Sequence, residues 1–571
     1  MNNKPKDIAV FVAWPYANGD LHIGHLAGAY LPADIFARYH RLRGNRVLMA
    51  SGSDSHGTPI TLKAKQEKTT PKEIVEHYHK RIMEDFISLG ISFNIFTLTL
   101  TRNHADVVSE IFLKLKDNGD LEVKEEEQFF DEKEQMFLPD RYVNGTCPFC
   151  GNTRARGDEC EQCGKTYDVT EILNPVSTLS GTVPQIRKTE HFFFNLQSYQ
   201  DSLREFVDSS THWRNSVQNF TRSWVEEGLR PRAITRDIDW GIPVPLKGWE
   251  SKVIYVWFEA VIGYLSATRE FGNHFGDSAF WETFWKNKET KSYYFIGKDN
   301  IPFHTVIWPV ELMAYDAQMN LPYDVPANQF LNIEGEKFST SRGTAVWVRD
   351  ILEKVSPDAL RYYVTSILPE TKDSNFAWDE LKARNNGELA AAWGNLVNRV
   401  MGFAASKFEG KIPSHGEFTE RDKELYHTRD ESFKRAILAY EEVRLRDALK
   451  EGMGLAREVN KYLDEEAPWT KFKSDPVASG HSIYVAISVI QSINILLAPV
   501  LPFSAEQIYS AFGGEGDLFP KPELKSVQEE SDMHDIMLMN CNSSGKDRFE
   551  HILPESGRSF NRLSPLFAQI E

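Results

Sequence analysis

The stretch IAVFVAWPYANGDLHIGH, residues 8–25, decides the fold. Its first six residues are all apolar, a pattern typical of a central strand in a parallel sheet covered on both faces. Pro15 prevents an inner strand from continuing, and Asn18-Gly19 is a turn dipeptide. Asp20 is predicted to cap the helix that follows. The sequence therefore predicts a strand–loop–helix unit of an α/β fold.

His22, Gly24 and His25 lie at the start of that predicted helix. A helix N-terminus offers N–H groups to phosphate oxygens, and Gly24 has no side chain to hold a nucleotide away. Two imidazoles three residues apart lie on one helix face, where both can donate to phosphate. For an isolated motif of this kind, two surface histidines without function would be the better interpretation. The strand, proline and turn in front of it favour a phosphate site instead.

The segment from Pro15 to His25 resembles the first signature of class I aminoacyl-tRNA synthetases, in the form typical of the methionyl-tRNA synthetase family. The resemblance covers residues 7–513 and the last few residues. It implies a Rossmann-like, nucleotide-binding parallel sheet with a zinc-binding insert, followed by an all-α anticodon-binding bundle. It also implies a ligase that activates methionine with ATP to methionyl-adenylate and transfers it to tRNA(Met). In that reaction His22 and His25 would be catalytic and would bind ATP together with Gly24.

Composition sets the broad class. A chain of 571 residues with 41% hydrophobic and 26% charged residues is long enough for three or four globular domains. The formal charge of −17 argues against a general nucleic-acid coating protein but allows a local basic face for RNA. Residues 1–7 are polar and contain no apolar signal core, so we expect a cytoplasmic protein. The apolar residues 483–503 are interrupted by polar residues and predict a buried bundle helix rather than a membrane span.

A second apolar strand, residues 46–50, ends in Ser51-Gly-Ser-Asp-Ser-His-Gly-Thr-Pro59. Ligands of open α/β sheets bind at the carboxyl ends of the strands, which is where Asp54 falls. A solvated loop carboxylate is the alternative. The resemblance implies that Asp54 holds the ammonium group of methionine.

Four cysteines form two Cys-x-x-Cys knuckles, Cys147 with Cys150 and Cys160 with Cys163. Four thiolates can close a tetrahedral site, which leaves no coordination position for chemistry, so we predict one structural zinc ion. Two redox pairs are the alternative, but the βαβ context of such a pair is missing here. The surrounding insert resembles the connective-peptide domain that splits the class I catalytic fold.

Two later segments, 252–264 and 293–304, each read as a strand that enters a helix. Their aromatic stripes would more often be core than pocket if they stood alone. The resemblance implies a pocket for the methionine side chain, lined by Trp14, Tyr16, Trp257, Ala260, Tyr264, Phe303 and His304. An aromatic slot suits a thioether, because sulfur is polarizable. The family also has a tryptophan upstream of the first strand; Trp240 is displaced from that place and receives no role.

Residues 335–343 resemble the second class I signature, a lysine–serine loop that closes on the ATP phosphates. A polar surface loop is the alternative. The resemblance implies that Lys337 is catalytic and that Lys337 and Thr340 bind ATP together with Mg²⁺. Thr340 stands where the family has a second lysine, and a hydroxyl can donate a hydrogen bond but cannot neutralise charge.

From residue 385 the pattern is helical and predicts an α-bundle. Asn395 and Arg399 fall one turn apart, and Trp469 follows a helix stop. The resemblance implies that these three residues read the anticodon, a role that stacking and planar donor groups suit. A bundle-core tryptophan with solvated neighbours is the alternative. Residues 514–549 are predicted to be an irregular insertion.

The predicted domains are the first catalytic half (1–116), the zinc insert (117–245), the second catalytic half (246–330), the lysine–serine loop region (331–384), the anticodon domain (385–513) and a C-terminal tail (514–571). With no appended oligonucleotide-binding domain after the bundle, we expect a monomer. The rival functions are a small-molecule nucleotidyltransferase, a non-catalytic zinc-knuckle RNA-binding protein and a class I enzyme for isoleucine, valine or leucine. The chain is too long for the first, carries catalytic motifs that the second does not need, and is too short between its catalytic halves for the editing insert of the third.

Overall fold

The structure is a computed structural model that describes residues 5–139, 142–157, 160, 162–163, 167, 169–333, 345–529, 532–541 and 547–571, and the main chain of 336–337. The first part alternates strands and helices, as the sequence predicts. Its elements are β1 (Asp7–Val12), α1 (Ile23–His25), α2 (Leu31–Leu42), β2 (Arg46–Ser53), α3 (Thr58–Glu67), α4 (Pro71–Leu89), β3 (Ile95–Leu98) and α5 (Arg102–Asn118). A π-helical turn, Leu26–Tyr30, joins α1 to α2.

The helix after β1 does not begin where the sequence predicts. The prediction that Asp20 caps it is wrong, since α1 begins at Ile23 and His22 occupies the N-cap position. The Asp20 carboxylate instead accepts two hydrogen bonds from the guanidinium of Arg81 on α4, at 2.5 and 2.6 Å. This ion pair occupies Asp20, and the cap falls to the first histidine of the motif.

The insert is built on antiparallel strands. Its elements are β4 (Leu121–Asp131), β5 (Met136–Phe137), β6 (Val143–Thr146), β7 (Ala155–Arg156), β8 (Leu173–Ser177), β9 (Gln185–Phe194), α6 (Gln200–Ser209), α7 (Asn215–Glu227), β10 (Arg232–Ala233) and β11 (Thr235–Arg236). β4 and β9 form a long ribbon that runs from the pair Leu121–Phe194 to the pair Phe130–Gln185. β6, β7 and β8 form a small separate sheet next to the cysteine knuckles.

The catalytic fold then resumes with further strand–helix units. Its elements are β12 (Val253–Ile254), α8 (Val256–His274), α9 (Phe280–Trp285), β13 (Lys291–Gly297), α10 (Trp308–Tyr315), β14 (Ala327–Asn328), β15 (Leu331–Ile333), β16 (Glu336–Lys337), α11 (Val348–Leu352), α12 (Pro357–Ser366), β17 (Ser374–Phe376) and α13 (Trp378–Arg384). A second π-helical turn, Phe303–Ile307, precedes α10.

The following region is helical, as predicted. A π-helical segment, Asn385–Gly394, leads into α14 (Asn395–Lys407), α15 (Glu420–Glu441), α16 (Leu445–Glu466), α17 (Pro468–Lys471), α18 (Pro476–Leu497) and α19 (Pro502–Ala511). Among the described residues, α18 is the one helix whose length and apolar composition would allow it to cross a membrane. Of its most apolar stretch, 94% is buried inside the protein. This burial confirms the prediction of a bundle helix.

Two last strands, β18 (Glu523–Glu529) and β19 (Asp532–Leu538), show that the prediction of an irregular insertion at 514–549 is wrong. They form a hairpin, and β19 adds antiparallel to β3 through the pairs Met537–Phe96 and Leu538–Ile95. β19 is short and only its last three residues are buried, so the sequence alone gives little sign of a strand. The pairing depends on the open edge of β3, a partner more than 400 residues away in the chain.

The main sheet has the strand order β14-β13-β1-β2-β3-β19-β18. β1 lies between β13 and β2 and is parallel to both, which confirms the prediction of a central parallel strand. Val10 points to a core shared with the bundle, and Phe11 points to a second core that contains α8 and the insert helices. The loops after β1, β2 and β13 therefore meet at one edge of the sheet. How the chain divides into domains stays a prediction.

Candidate active site

His22, Gly24 and His25, which we call the histidine corner, follow β1. The two imidazole rings stack with their centroids 3.6 Å apart and their planes at 19°. Each Nδ1 accepts a hydrogen bond from the main-chain N–H of the other histidine, at 3.3 and 3.4 Å. Because Nδ1 is the acceptor, a neutral ring must carry its proton on Nε2, where it can be donated.

Burial keeps both rings of the histidine corner neutral. Burial, with the neighbouring His25, lowers the pKa of His22 well below its usual range. Burial lowers the pKa of His25 to about 4. An anion that enters the corner would raise both pKa values, since it favours the charged form. The corner can therefore offer two neutral donors and gain positive charge when an anion arrives.

The residues just before α11 border the histidine corner. After residues 338–344, the Val346 carbonyl accepts a hydrogen bond from Ile23 N–H at 3.0 Å, and Val348 N–H donates to Leu21 O at 2.9 Å. Before residues 338–344, β16 pairs with β15. The predicted residue Thr340 and the side chain of Lys337 lie outside the described residues.

A cavity of about 450 Å³ opens beside the histidine corner. Its walls come from the loop after β1, the first turn of α8, the end of β13 and the residues around β15. They include Ala13, Trp14, Tyr16, His22, Gly24, His25, Tyr30, Trp257, Gly297, Asp299, Asn300 and Asn332. The cavity thus lies at the carboxyl ends of parallel strands, where ligands of such sheets bind.

Asp54, on the loop after β2, does not itself line this cavity but is hydrogen-bonded to Pro15, which does. Its N–H donates to Pro15 O at 2.7 Å, and its carbonyl accepts from Ala17 N–H at 2.9 Å, so its main chain is fixed against the loop after β1. The side chain is 5% exposed, and Oδ1 accepts from the N–H of His56 at 3.2 Å. Burial, then the charge of Glu259, raises the pKa of Asp54 well above its usual range.

Glu259 is a site residue that the sequence analysis missed. It lies on α8, has no exposed surface, and its two carboxylate oxygens lie 2.8 Å from His56 Nδ1 and 2.6 Å from His104 Nε2. Burial raises its pKa, but these two imidazoles outweigh burial and lower the pKa to about 2. One signal was present: a lone acid in the apolar run Trp257–Leu265 needs a buried partner. We call Asp54, His56, His104 and Glu259 the carboxylate corner.

Tyr16, Trp257 and Phe303 form an aromatic wall between this cavity and a second one. Trp257 and Phe303 stack with centroids 4.2 Å apart, and Tyr16 meets Trp257 edge-on at 6.4 Å. On the other side lies a second cavity of about 320 Å³, whose lining includes these three residues and His56. Trp240 closes this second cavity and donates from Nε1 to Ser55 O at 2.7 Å. The displaced tryptophan, left without a role in the sequence analysis, therefore lies beside the wall.

The other predicted pocket residues lie deeper. Trp14 fits against two glycines, because a Cβ at Gly52 or Gly263 would approach its ring to 2.2 or 2.6 Å. Tyr264 is buried, and its hydroxyl donates to His304 Nε2 at 2.7 Å, while His304 Nδ1 donates to Asn300 O at 2.9 Å. Ala260 is half-buried on α8. The structure thus brings six aromatic or imidazole side chains around one region, with Ala260 on the helix that carries two of them.

The four knuckle cysteines converge on one point. The Sγ atoms of Cys147, Cys150, Cys160 and Cys163 all lie within 4.8 Å of one another. The closest pairs are Cys147 with Cys163 at 3.8 Å and Cys150 with Cys160 at 3.6 Å. A tetrahedron of thiolates about 2.3 Å from zinc has sulfur–sulfur edges of about 3.8 Å. The cluster therefore has the size that a tetrahedral metal site requires.

In the bundle, two of the three predicted RNA-contacting residues meet. The Arg399 guanidinium lies 5.0 Å from the centroid of the half-buried Trp469 ring, and Phe403 meets that ring edge-on at 4.8 Å. Asn395 is exposed at the start of α14. A tryptophan with a stacked arginine can offer a planar surface to an unpaired base.

Comparisons with known proteins agree with this arrangement. A family model described as "tRNA synthetases class I (M)" matches residues 8–401, and a model of the "Anticodon binding domain of methionyl tRNA ligase" matches residues 412–537. The methionine–tRNA ligase of Thermomicrobium roseum is 49% identical over 567 residues, which cover 99% of this chain and 97% of that protein. The methionine–tRNA ligase of Roseiflexus castenholzii is 43% identical, with 99% and 97% covered.

Among solved structures, Mycobacterium tuberculosis methionyl-tRNA synthetase in complex with methionyl-adenylate is similar with a TM-score of 0.78. The match covers 99% of this chain and 100% of that one at 24% sequence identity. It shows that the two chains share their fold.

Proposed function

The chain belongs to the class I tRNA synthetases of the methionyl family, and from this premise we propose how its residues divide the work of a methionine–tRNA ligase. The reaction activates methionine with ATP to methionyl-adenylate and pyrophosphate, and then transfers the methionyl group to tRNA. The observation that carries the proposal is the cavity of about 450 Å³ that is lined both by the histidine corner and by Pro15, the residue bonded to the main chain of Asp54. An ammonium group can be bound on the Asp54 side of this cavity and phosphates at the histidine corner, so that a carboxylate and an α-phosphate can meet between them.

Methionine enters with its ammonium group toward Asp54. A buried carboxyl without a cationic partner is costly when ionised, and an ammonium group supplies the missing charge. Trp14, Tyr16, Trp257, Ala260, Tyr264, Phe303 and His304 surround the thioether side chain, for which ring contacts are favourable. This orientation directs the methionine carboxylate toward the histidine corner, where the α-phosphate of ATP is attacked.

ATP lies with its phosphates at the N-terminus of α1. His22 and His25 donate from Nε2 to phosphate oxygens, and Gly24 leaves room for them. Lys337 adds a cation and Thr340 a hydroxyl, and Mg²⁺ that enters with ATP supplies the remaining positive charge. The protein thus accelerates the step by positioning and by stabilising charge on the phosphates rather than by covalent catalysis.

The four-cysteine cluster holds one structural zinc ion. Four protein thiolates complete a tetrahedral shell, which stabilises the insert and leaves no position for substrate. We expect about one zinc per chain by elemental analysis. Cys147→Ser should lower both the zinc content and the thermal stability. Cys541→Ser, at a buried cysteine outside the cluster, should keep the zinc. Well-folded parent protein without a tetrahedral metal would contradict the assignment.

The bundle reads the anticodon of tRNA(Met) through Asn395, Arg399 and Trp469, and the protein works as a cytoplasmic monomer. Support comes from the anticodon-domain model, which matches residues 412–537 and so includes Trp469, and from the contact of Arg399 with Trp469. Unpaired RNA bases are read by stacking and by hydrogen bonds to their exposed edges.

Pyrophosphate exchange across single amino acids tests the function. The purified chain should exchange labelled pyrophosphate into ATP with methionine and should do so far less with isoleucine, valine or leucine. Exchange that does not depend on any amino acid would assign a nucleotidyltransferase. Folded, RNA-binding protein without exchange would assign a non-catalytic role.

A further inference from the structure

Asp54 and Glu259 form a pair of buried carboxyl groups that no arginine or lysine neutralises among the described residues. Glu259 is wholly buried and Asp54 is 5% exposed. His56 links them: its Nδ1 lies 2.8 Å from Glu259, and its main-chain N–H donates to Asp54 at 3.2 Å. Two buried acids this close are uncommon, because each disfavours the charge of the other.

Glu259 is held as the charged member of the pair. An ionised carboxylate can only accept hydrogen bonds, and here it accepts from one nitrogen of His56 and one of His104. The other nitrogen of His104 lies 2.8 Å from the hydroxyl of Ser266, so the orientation of that ring is fixed from α8 as well. The titratable groups that act on this pair are therefore His56 on the loop after β2, His104 on α5 and each carboxyl on the other.

Asp54 then has no counter-charge of its own. Its side chain accepts one main-chain hydrogen bond, and the charge of Glu259 raises its pKa further beyond the effect of burial. A cationic group that enters beside Asp54 would meet two carboxylates, one of them already ionised and oriented. A ligand without a positive charge would gain nothing from either.

We propose that Glu259 is a positioning residue for the amino-acid substrate: bound to His56 and His104, it fixes a second buried negative charge behind Asp54, so that the site demands a free ammonium group. The inference rests on the proposed function, because it assigns the ammonium of methionine to Asp54. At a pH below the raised pKa of Asp54, binding of an ammonium that is already protonated displaces the proton of Asp54 to solvent.

The first experiment uses the unaltered protein and needs no variant. Methionine binding is measured by calorimetry near pH 6 in two buffers of different ionisation enthalpy. We expect proton release with methionine and with methioninol, which keeps the ammonium. We expect no binding of 4-(methylthio)butanoate, which lacks it. Binding of methionine without proton release, or equal binding of the deaminated acid, would overturn the inference.

The second experiment compares Glu259→Gln with Glu270→Gln. Glu270 is a matched control because it lies on the same helix three turns later, is 5% exposed and lies 3.6 and 3.5 Å from His274 and His534, away from Asp54. In Glu259→Gln the KM for methionine should rise about ten- to a hundredfold, which corresponds to losing one nearby charge, while the KM for ATP stays the same. Glu270→Gln should leave both constants unchanged.

The pH profile separates positioning from simple packing. In the parent, kcat/KM for methionine should fall as the pH drops through the raised pKa of Asp54. In Glu259→Gln that midpoint should move to lower pH, because the neighbouring charge is gone. Glu259→Asp, which keeps the charge, should retain the parental midpoint even if its rate is lower.

The outcomes distinguish this inference from the proposed function. A parent that shows no methionine-dependent exchange means that the proposed function fails. A parent that exchanges normally while Glu259→Gln keeps the parental KM and midpoint means that the inference alone fails. If Glu259→Gln does not fold, the calorimetry and Glu259→Asp decide: no proton release, or a midpoint in Glu259→Asp shifted from the parental one, overturns the inference.

Discussion

The histidine corner lies at the end of residues 13–25, and the carboxylate corner is bonded to the beginning of that segment through Asp54. The two corners treat charge in opposite ways. In the first, groups able to become cations are buried in neutral form, with the pKa of His25 lowered to about 4 by burial. In the second, Glu259 is kept as an anion with a pKa of about 2 by His56 and His104, although burial opposes it. Asp54 beside it has a raised pKa through burial and this charge.

This difference matches the ligand that we propose for each corner. Neutral imidazoles suit an anion, because they donate at once and become charged only when phosphate is present. A pair of acids suits a cation, because the second acid gains its charge when the ammonium arrives. Before a ligand binds, the two histidines and Asp54 favour their neutral forms. Burying each of them as an unpaired ion would cost several kcal/mol. The loop after β1 connects the two corners, because it bonds to the main chain of Asp54 and continues into the histidine corner.

Removing the Asp54 charge should give the largest loss. Asp54→Asn keeps the shape and the acceptor for the His56 N–H, but the ammonium loses its partner. We expect kcat/KM for methionine in pyrophosphate exchange to fall roughly thirty- to several thousandfold. This corresponds to a loss of about 2–5 kcal/mol of transition-state stabilisation. Asp20→Asn, on the neighbouring loop after β1, is the control, since its pair with Arg81 is partly exposed, and it should cost about 1 kcal/mol or less. An unchanged methionine dependence in Asp54→Asn would remove Asp54 from the site.

The histidine corner can be separated into its cap and its donor. His25→Asn keeps an acceptor near the Nδ1 position, which accepts the His22 N–H in the capping box of α1. The same change removes Nε2. His25→Gln reaches the Nε2 position but loses the cap. If Nε2 is the phosphate donor, His25→Asn should lower the single-turnover rate of adenylate formation about a hundred- to a thousandfold, and His25→Gln should lose less. The reverse order would mean that the cap, not the donor, is what His25 contributes.

The two corners should also differ in the sign of their proton linkage. A phosphate beside neutral His22 and His25 raises their lowered pKa values, so ATP binding near pH 6 should take up protons. Methionine binding should release them, because an ammonium lowers the raised pKa of Asp54. Calorimetry in paired buffers measures both signs, with His25→Asn as the variant that should reduce uptake alone. The same sign for both substrates would break the comparison.

Much of this could be predicted from the sequence, since it depends on local pattern. The apolar run of β1, the Pro15 break and the two cysteine knuckles each carry their signal within a few residues, and the structure has the strand and the cluster where they were expected. What the sequence did not give depends on distant partners. The Asp20 cap was wrong because Arg81 on α4 competes for its carboxylate.

The hairpin and the acid of α8 teach the same lesson. β19 is a strand because β3 has an open edge, and nothing in residues 532–538 announces that edge. Glu259 looked like one charge in an apolar helix, and its importance appears only when His56 and His104, 203 and 155 residues away, converge on it. A resemblance to a family can assign roles to matching positions, but contacts of this kind have to be read from the fold.

The smallest expected effect on the activation step is that of the bundle, which lies outside both corners. Trp469→Ala removes the ring that Arg399 and Phe403 contact. Transfer to tRNA should then weaken by about 1–3 kcal/mol per lost base stack, while pyrophosphate exchange stays at the parental rate because both corners are intact. Trp393→Ala is the contrast, since that tryptophan is 1% exposed in the shared core and its loss should lower the melting temperature. If Trp469→Ala behaves like Trp393→Ala and loses stability, exchange and charging together, Trp469 is a core residue. Adenylate formation at the two corners would then depend on the packing of the bundle.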